Sequence, residues 1–400
     1  MISFRLSRPG ILFKQNWILF LLWLFLLVFP KGGIKISNVP ITWGYLFIGI
    51  SSFLLAIRSI QTCSSLRLYA YLASIPFQII AVPALLFRTG EFGYVISFVT
   101  SFYFFPLFFF LLASRPIDSL DMERFLKFFQ LGVFIIAIYG IFVFSFKLMT
   151  GKFIEIPFLT TNFHDLDVLE TKCNQRGAFL FKLVSTYNNG NIYGVCLLML
   201  LPLYDYREKS LWRKSIVKLS LILTLSRTVW VGFVFYEIIR TLFVDRKSKT
   251  TVIKILLVFV GFFVFLYLFQ LSTNLGFRFL FDTTLGGRRS NFAVFENLSL
   301  FPSSFHAIGE MVYLSILGQF GMGGFLCFLL VMLAPLFLFF TRTTKKPDQK
   351  MYHSILCGII NYLFVCTSDG AMLLIPTMAF YWFFCSLLLR NPRQKTWSLS

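Results

Sequence analysis

The chain has 400 residues, of which 57% are apolar, 19% aromatic and only 14% charged, and this composition excludes a soluble globular domain. Its formal net charge is +20, from 37 Lys and Arg residues against 17 Asp and Glu residues. In a soluble protein such an excess would suggest nucleic-acid binding. Here the basic residues lie mostly in short segments between apolar runs, where the positive-inside rule explains them, so no nucleic-acid partner is expected.

Apolar runs follow one another along the whole chain. Helices satisfy their backbone polar groups internally in lipid, so we predict an all-α polytopic integral membrane protein in which residues 1–400 form a single membrane domain. The first run lacks a small-residue cleavage site after it, which favours a retained helix over a signal peptide. We expect about twelve transmembrane helices, at 17–31, 41–57, 68–87, 93–113, 125–148, 191–204, 214–225, 228–244, 253–272, 319–341, 351–367 and 371–389.

The segments between these runs predict the topology. With the N-terminus inside, the inner segments are short and carry most of the Lys and Arg residues, so both termini are predicted to be cytoplasmic. The two longest polar segments, 149–190 and 273–307, then lie on the outer face. Long connections in compact proteins are often functional, so these two outer loops are where we look for chemistry.

The first outer loop carries Arg176 and ends in an asparagine-rich stretch, Tyr187-Asn-Asn-Gly-Asn-Ile-Tyr-Gly194, which opens an apolar run. Asn188 and Asn191 belong to this stretch. Asparagines at the start of a helix hydrogen-bond sugar hydroxyls in some proteins and simply cap the helix in others. Both interpretations are open for this segment.

A second polar feature is the turn Leu225-Ser-Arg-Thr-Val-Trp230, which separates two apolar runs by only a few residues. Arg227 therefore lies close to the hydrocarbon on the predicted outer side. One interpretation is an arginine whose charged end reaches the membrane surface from a helix end. The other is a cation that faces a cavity and binds an anion, because a guanidinium can bond two phosphate oxygens at once.

The second outer loop contains Gly286-Gly-Arg-Arg289, followed by Asn291. Adjacent glycines permit a tight backbone and close approach of a ligand. Arg288 and Arg289 are therefore either part of an ordinary solvated loop or a clamp for a diphosphate. The motif by itself does not distinguish the two.

His306 and Glu310 follow at a spacing of four residues. If a helix covers 306–318, the two side chains share one face and form either a general base or a structural hydrogen bond. The glycines of the next stretch, Val312 to Gly324, predict that a helix here either packs closely or breaks.

Motifs for cofactor binding are missing from the sequence. The three histidines are scattered over positions 164, 306 and 353, and the seven cysteines show no paired spacing. There is no P-loop, no nucleophile-elbow motif and no dinucleotide-binding glycine motif. We therefore expect neither a metal nor another cofactor.

Taken in order, four of these features resemble the O-antigen polymerase and ligase family of bacterial polytopic membrane glycosyltransferases. The resemblance covers about residues 170–335. Its parts are the asparagine-rich start of a helix (Asn188 to Gly194), the Ser226-Arg227 turn between two spans, an outer loop with Gly287-Arg288, and the aromatic-Leu helix Tyr313-Leu-Ser-Ile-Leu-Gly-Gln-Phe-Gly321.

One departure from the family pattern bears on the activity. Ligases of this family carry a His-Asn pair just before the aromatic-Leu helix, whereas this chain has Glu310-Met311 there, with His306 one turn earlier. Repeat-unit polymerases often have an acidic or other polar residue at this place. The resemblance therefore favours a polymerase over a ligase.

The resemblance implies a multi-pass enzyme of the bacterial inner membrane that polymerises lipid-linked oligosaccharide repeat units. The donor would be a glycan on undecaprenyl diphosphate, with membrane lipid, a flippase and a chain-length regulator as further partners. Arg227 and Arg288 would stabilise the leaving diphosphate, and Glu310 or His306 would accept the hydroxyl proton. The residues implied in substrate binding are Arg289, Arg176, Asn188, Asn191, Asn291 and Tyr313. Neither a metal nor a nucleotide is required, because the lipid diphosphate is already activated.

Two other classes of function remain open from the sequence. A flippase or transporter of lipid-linked sugar predicts charged residues at the bilayer midplane and internal pseudo-symmetry. The sequence shows no internal repeat, and Lys218 is the main charge inside a predicted span. The third alternative is a structural or signalling membrane protein without catalysis. The two long outer loops are only weak evidence against it.

Overall fold

The structure is a computed structural model, and it describes residues 20–36, 39–59, 64–86, 92–161, 181–243, 248–273, 288–296, 298–302, 308–341 and 348–390. Apart from one β-hairpin and short 3₁₀ turns, the regular structure in these ranges is helical. The chain is therefore an all-helical protein of the membrane type, as its composition predicts.

The N-terminal half contains a hairpin and seven helices in its described part. These are α1 (residues 20–28, π-helical over Leu24–Val28), β1 (Gly33–Ile36), β2 (Val39–Thr42), α2 (Trp43–Ser59), α3 (Ser65–Leu72), α4 (Ile75–Leu86), α5 (Phe92–Val99, continued by π-helical Thr100–Phe104 and Leu107–Leu112), α6 (Ser114–Asp118) and α7 (Met122–Thr150). The strands pair antiparallel, with Gly33 opposite Thr42 and Ile36 opposite Val39.

The C-terminal half is built from longer helices joined by short turns. A 3₁₀ turn, Ser185–Tyr187, precedes α8 (Gly190–Arg207), α9 (Leu211–Ile222), α10 (Arg227–Phe243) and α11 (Ser248–Thr273). A 3₁₀ helix, Arg288–Glu296, then precedes α12 (Val312–Phe340), α13 (Gln349–Val365) and α14 (Ile375–Leu388).

A helix overlaps each of the twelve apolar runs of the sequence. Within the described ranges, four helical segments are long and apolar enough to cross a membrane by themselves: Ser65–Leu86, Gly93–Leu112, Met122–Thr150 and Val312–Phe340. Others are too short to span alone; α9 has 12 residues, about 18 Å, against a hydrocarbon core of about 30 Å. The exact number of spans therefore stays a prediction.

Helix α12 breaks at Gly321, where φ is 68° and ψ is −176°. The backbone of Ser299 and Leu300 enters the break and accepts hydrogen bonds from the amides of Met322 and Gly323, at 2.9 and 3.1 Å. These carbonyls satisfy amides that the break removes from the helical ladder. The glycine-rich stretch therefore breaks the helix, one of the two outcomes that its sequence predicts.

Three glycines bring α8, α10 and α13 into close contact. A Cβ on Gly358 would lie 2.2 Å from the carbonyl oxygen of Met199, and a Cβ on Gly194 would lie 2.3 Å from a methyl group of Val229. Gly232 has the same tight fit against Leu198. In membranes, burial of apolar surface contributes little to the association of helices. Close packing at small residues is a main source of the stabilisation instead.

Helix α14 forms the centre of the bundle, since every one of its 14 residues is buried. Trp382 donates to the carbonyl oxygen of Ser101 (2.7 Å) and Ser386 to that of Phe109 (2.8 Å), which aligns α14 parallel to α5. The aromatic ring of Trp23 stacks on Phe380 with a centroid distance of 4.7 Å, so α1 also packs on this central helix.

Contacts between α8 and α13 define the two ends of the bundle. At one end Asn191 bonds Asp369, and at the other Tyr206 bonds Asp348, so the two helices are antiparallel. We call these the Asn191 end and the Asp205 end, after residues near each. The topology predicted from charge places the Asn191 end outside and the Asp205 end inside.

Candidate functional site

Five polar side chains meet at the Asn191 end: Lys182, Asn191, Thr228, Ser368 and Asp369, which we call the Asn191 cluster. Lys182 Nζ donates to Asn191 Oδ1 at 2.6 Å, and Asn191 Nδ2 donates to Asp369 Oδ2 at 2.7 Å. The hydroxyls of Thr228 and Ser368 lie 2.8 Å apart. Lys182 and Asp369 are 3% and 5% exposed, so a lysine and a carboxylate are buried together here.

The donors and acceptors in this series of hydrogen bonds fix the orientation of the Asn191 side-chain amide. An ammonium group only donates, so the amide oxygen of Asn191 faces Lys182. Its nitrogen then faces Asp369 and donates to the carboxylate. The cluster therefore holds the carboxylate of Asp369 in a defined place.

Local sequence explains how Lys182 and Asn191 come together. Asn189 caps α8 by accepting from the amides of Asn191 and Ile192, at 2.9 and 3.3 Å. Asn188, just before the cap, has a left-handed backbone with φ of 55°. The chain thereby turns sharply, and residues 181–187, which lie outside any α-helix, are buried in the bundle. Backbone of this kind is stable at membrane depth only inside protein or along a cavity.

The Ser226-Arg227 turn lies beside this cluster. Arg227 is the first residue of α10 and is partly buried, and Thr228 next to it bonds Ser368. Leu225, just before the turn, has a φ of 48°. The carbonyl oxygen of Ser226 accepts from the amide of Trp230 at 2.9 Å, which starts the helix.

The backbone of Glu310 is hydrogen-bonded to the Ser368–Gly370 turn, next to the Asn191 cluster. Its carbonyl oxygen accepts from the amide of Gly370 at 3.2 Å, and the amide of Val312 donates to the carbonyl oxygen of Cys366 at 3.2 Å. Glu310, whose side chain is exposed, therefore lies directly beside the Ser368–Gly370 turn. The N-termini of α8, α10 and α12 converge on this turn, and their dipoles favour an anion.

Backbone strain is concentrated around the cluster. Of the five described non-glycine residues with positive φ, four flank it along the chain: Ser185, Asn188, Leu225 and Ala371. Such conformations cost about 1–3 kcal/mol each and often occur at functional sites. We take their position as support for a functional site at this end.

The structure brings together some of the residues predicted from the sequence. Arg227, Asn191 and Glu310 lie at the Asn191 end, and Asn188 precedes the cap of α8. Tyr313 is also there, but its hydroxyl donates to the carbonyl oxygen of Leu363 at 2.7 Å and so joins α12 to α13.

The double arginine lies further along α12. Arg288, Arg289 and Asn291 belong to the 3₁₀ helix, which packs on α12 through Val294 at Gly318, about 9 Å beyond the start of α12. Arg289 is exposed and Asn291 partly exposed. The positions of Arg176, Gly286, Gly287, His306 and the side chain of Arg288 lie outside the described residues.

The condition for a helical pairing of His306 with Glu310, a helix over 306–318, is not met in the described residues 308–311. α12 starts at Val312 with Met311 at its N-cap, so Glu310 precedes the helix and is not on a helical face. The bond from Gly370 to the Glu310 carbonyl oxygen holds the chain outside the helix here. The helical pairing of Glu310 with His306 at a spacing of four residues is therefore lost.

Sequence reasoning missed Lys182, Thr228, Ser368 and Asp369. A signal for Asp369 exists, because Ser368-Asp-Gly370 separates the apolar runs 351–367 and 371–389 just as Ser226-Arg227 separates two others. Lys182 has no such signal, since it lies at the end of a long polar segment. Only the structure shows that this lysine is buried.

A second charged group lies at the other end of the bundle. In this Asp205 cluster, Tyr236 and Arg240 donate to Asp205 Oδ2 at 2.7 and 3.1 Å, and Lys218 Nζ lies 2.5 Å from Glu237 Oε1. Asp205 is two residues from the end of α8. Lys218, the charge that a transporter would place at the midplane, is thus paired with carboxylates nearer one end of the bundle.

Glu208, in the turn between α8 and α9, provides a prediction about stability. Burial raises the pKa of its carboxyl, but hydrogen bonds from the Ser210 amide, Gln130 and the Lys209 amide, together with Arg213, outweigh burial and lower the pKa. A lowered pKa stabilises the folded protein at pH values above the pKa of Glu in the unfolded chain, about 4.3. This stabilisation is lost as the pH falls through the pKa of Glu208 in the folded protein.

We therefore expect Glu208→Gln to melt at a lower temperature than the wild type at pH 7, with the difference shrinking below about pH 4. Thermal unfolding in detergent at several pH values measures this. Glu123→Gln is the control, because the Glu123 side chain is 68% exposed in the same region and its loss should matter little. A difference between Glu208→Gln and the wild type that is the same at pH 7 and pH 3.5 would contradict the assignment.

Comparison with known proteins found no matching family model, no matching curated protein and no matching solved structure.

Proposed function

We propose that this protein is a membrane glycosyltransferase that polymerises lipid-linked oligosaccharide repeat units at the outer face of a bacterial inner membrane. The donor is a glycan on undecaprenyl diphosphate, and the twelve-span topology with both termini in the cytoplasm orients the site outward. The observation that carries the proposal is the meeting of Arg227, Glu310 and the Asn191 cluster at one end of the bundle.

The charges of this site suit a lipid diphosphate. Arg227 begins a helix beside the cluster, and three helix N-termini point at the same turn. A leaving diphosphate develops negative charge as its bond to the sugar breaks, and fixed cations stabilise that charge most where water is excluded. Arg288 and Arg289, on the segment that packs along α12, are proposed to contact the diphosphate as well.

The hydrogen-bonding groups suit the acceptor sugar. In the proposed reaction an acceptor hydroxyl oxygen bonds to the anomeric carbon of the donor. The bond from that carbon to the diphosphate breaks, and its electron pair leaves with the diphosphate. The hydroxyl proton passes to a carboxylate, for which Asp369 is our first candidate, because Asn191 holds it in place, and Glu310 the second. Asn188, just before the cap of α8, and Asn191, in its first turn, are proposed to contact sugar hydroxyls.

One reconstitution experiment separates this function from its alternatives. The full chain in proteoliposomes is supplied with a lipid-diphosphate-linked repeat unit, and the products are separated by size. A ladder of longer lipid-linked chains supports the polymerase. Transfer to a different acceptor lipid would identify a ligase, and movement across the bilayer without a new glycosidic bond would identify a flippase.

Substitutions of the two candidate carboxylates are expected to have different effects on elongation. We expect Asp369→Asn to reduce elongation by about 100-fold or more, because general-base catalysis typically contributes 10²–10⁴-fold. Glu310→Gln should reduce it less, since the Glu310 side chain is exposed, whereas that of Asp369 is buried and held by Asn191. Initial elongation rates measure both. Should Glu310→Gln be the inactive variant and Asp369→Asn the active one, the roles are reversed and the Asn191 cluster is not the base.

A further inference from the structure

A groove of about 690 Å³ runs between α1 and α7. Its walls are almost entirely apolar and include Phe20, Trp23 and Leu27 from α1 and Phe128, Leu131 and Ile135 from α7. The volume lies within the range of small-molecule binding sites. The groove is distant from the Asn191 cluster in the sequence and shares no residue with it.

The polar part of the lining is at one end only. Asp121, Arg124 and Lys127, in the first turns of α7, border the groove there. This is the Asp205 end of the bundle, because Gln130, on the same part of α7, bonds Glu208 at the end of α8. The groove thus has a charged mouth and an apolar interior, which is the polarity of an amphiphile.

The two cations at the mouth remain open to another anion. Arg124 pairs with Asp121 at 3.2 Å and Lys127 with Glu123 at 3.3 Å, but the two basic side chains are 71% and 63% exposed. Exposed pairs of this kind contribute little, so a phosphate competes with these carboxylates at small cost. Arg207, 3.8 Å from Glu123, adds a third cation and leaves the mouth with an excess of positive charge.

The length of the groove matches one leaflet of a bilayer. From Arg124 to Ile135 the helix rises by about 16 Å, at 1.5 Å per residue. Half of the hydrocarbon core measures about 15 Å. An acyl chain that starts at the charged mouth would therefore fill the groove and end near the middle of the membrane.

We propose that this groove binds one anionic phospholipid of the inner leaflet, with its phosphate at Arg124 and Lys127 and an acyl chain between α1 and α7. The proposal uses the predicted orientation of the bundle, with the Asp205 end inside, and is independent of glycosyl transfer. A net-neutral lipid lacks the charge that the mouth selects, so phosphatidylglycerol should be held more tightly than phosphatidylcholine.

Native mass spectrometry of the full chain tests this directly. The protein is released from vesicles of equal parts phosphatidylglycerol and phosphatidylcholine, and the retained lipid is counted. We expect one phosphatidylglycerol per chain. Arg124→Ala with Lys127→Ala should weaken its retention about tenfold or more, since each basic residue near an anionic surface contributes about 1 kcal/mol.

Two further variants make the result interpretable. Leu131→Trp, which narrows the groove and leaves its charges intact, should also reduce retention. Arg213→Ala removes a half-exposed cation at the same end that does not line the groove, and should retain lipid as the wild type does. A wild type that retains no lipid or retains both lipids equally, or a double variant that retains phosphatidylglycerol as well as the wild type, would overturn the proposal.

Discussion

Replacing Arg227 by alanine is expected to reduce the rate of chain elongation by about 100-fold or more. Arg227 is the first residue of α10 and directly precedes Thr228, which contacts Ser368 where the proposed diphosphate leaves. Removing the Arg227 side chain takes away a fixed positive charge that interacts more strongly with the transition state than with the ground state. The loss should therefore appear in kcat as well as in kcat/KM, measured with a purified lipid-linked repeat unit.

Arg213→Ala is the matched control for this prediction. Arg213 is a half-exposed arginine at the Asp205 end, 3.7 Å from Glu208, and the proposed reaction does not use it. Both variants should reach the membrane at the same level. Equal elongation rates for Arg227→Ala and the wild type would remove Arg227 from the mechanism.

Replacing Gly358 by alanine is expected to have the largest effect on stability. The added methyl group would lie 2.2 Å from the carbonyl oxygen of Met199, and backbone on both sides prevents a simple side-chain rearrangement. Overpacking a close interface typically costs about 1–3 kcal/mol and occasionally more. Because α13 packs on α8 at this point, separation of the two helices would also break the bond between Asn191 and Asp369.

Gly261→Ala in α11 is the control, since a Cβ there would have no neighbour within 4 Å. Alanine favours a helix over glycine by about 1 kcal/mol, so this variant should be as stable as the wild type or more stable. Thermal unfolding in detergent measures both variants. Equal melting temperatures for the two variants would mean that α8 and α13 are not in the close contact described.

The helical architecture follows from the sequence, because apolar runs of this length have few other stable forms in lipid. The position of Arg227 at a turn between helices follows for the same reason: a few polar residues between two apolar runs must lie near a helix end. The break in α12 at Gly321 also has a local cause, the glycine-rich stretch itself.

The composition of the candidate site depends on contacts between distant parts of the chain. Asn191 and Asp369 are 178 residues apart, and no pattern in a single sequence reports that α8 and α13 meet at these ends. The burial of Lys182 depends in the same way on the return of residues 181–187 into the bundle. The start of α12 at Val312 likewise depends on a tertiary bond, from Gly370 to the carbonyl oxygen of Glu310, which holds that residue outside the helix.

The most direct test of the central claim is the stoichiometry of the reaction in proteoliposomes that contain only this protein and the lipid-diphosphate-linked repeat unit. Glycosyl transfer at the Asn191 cluster predicts one undecaprenyl diphosphate released for each repeat unit added to a growing chain. It also predicts that Asp369→Asn and Arg227→Ala suppress both products together. Repeat units that cross the bilayer with their lipid intact, without chain growth or released diphosphate, would contradict the proposed function.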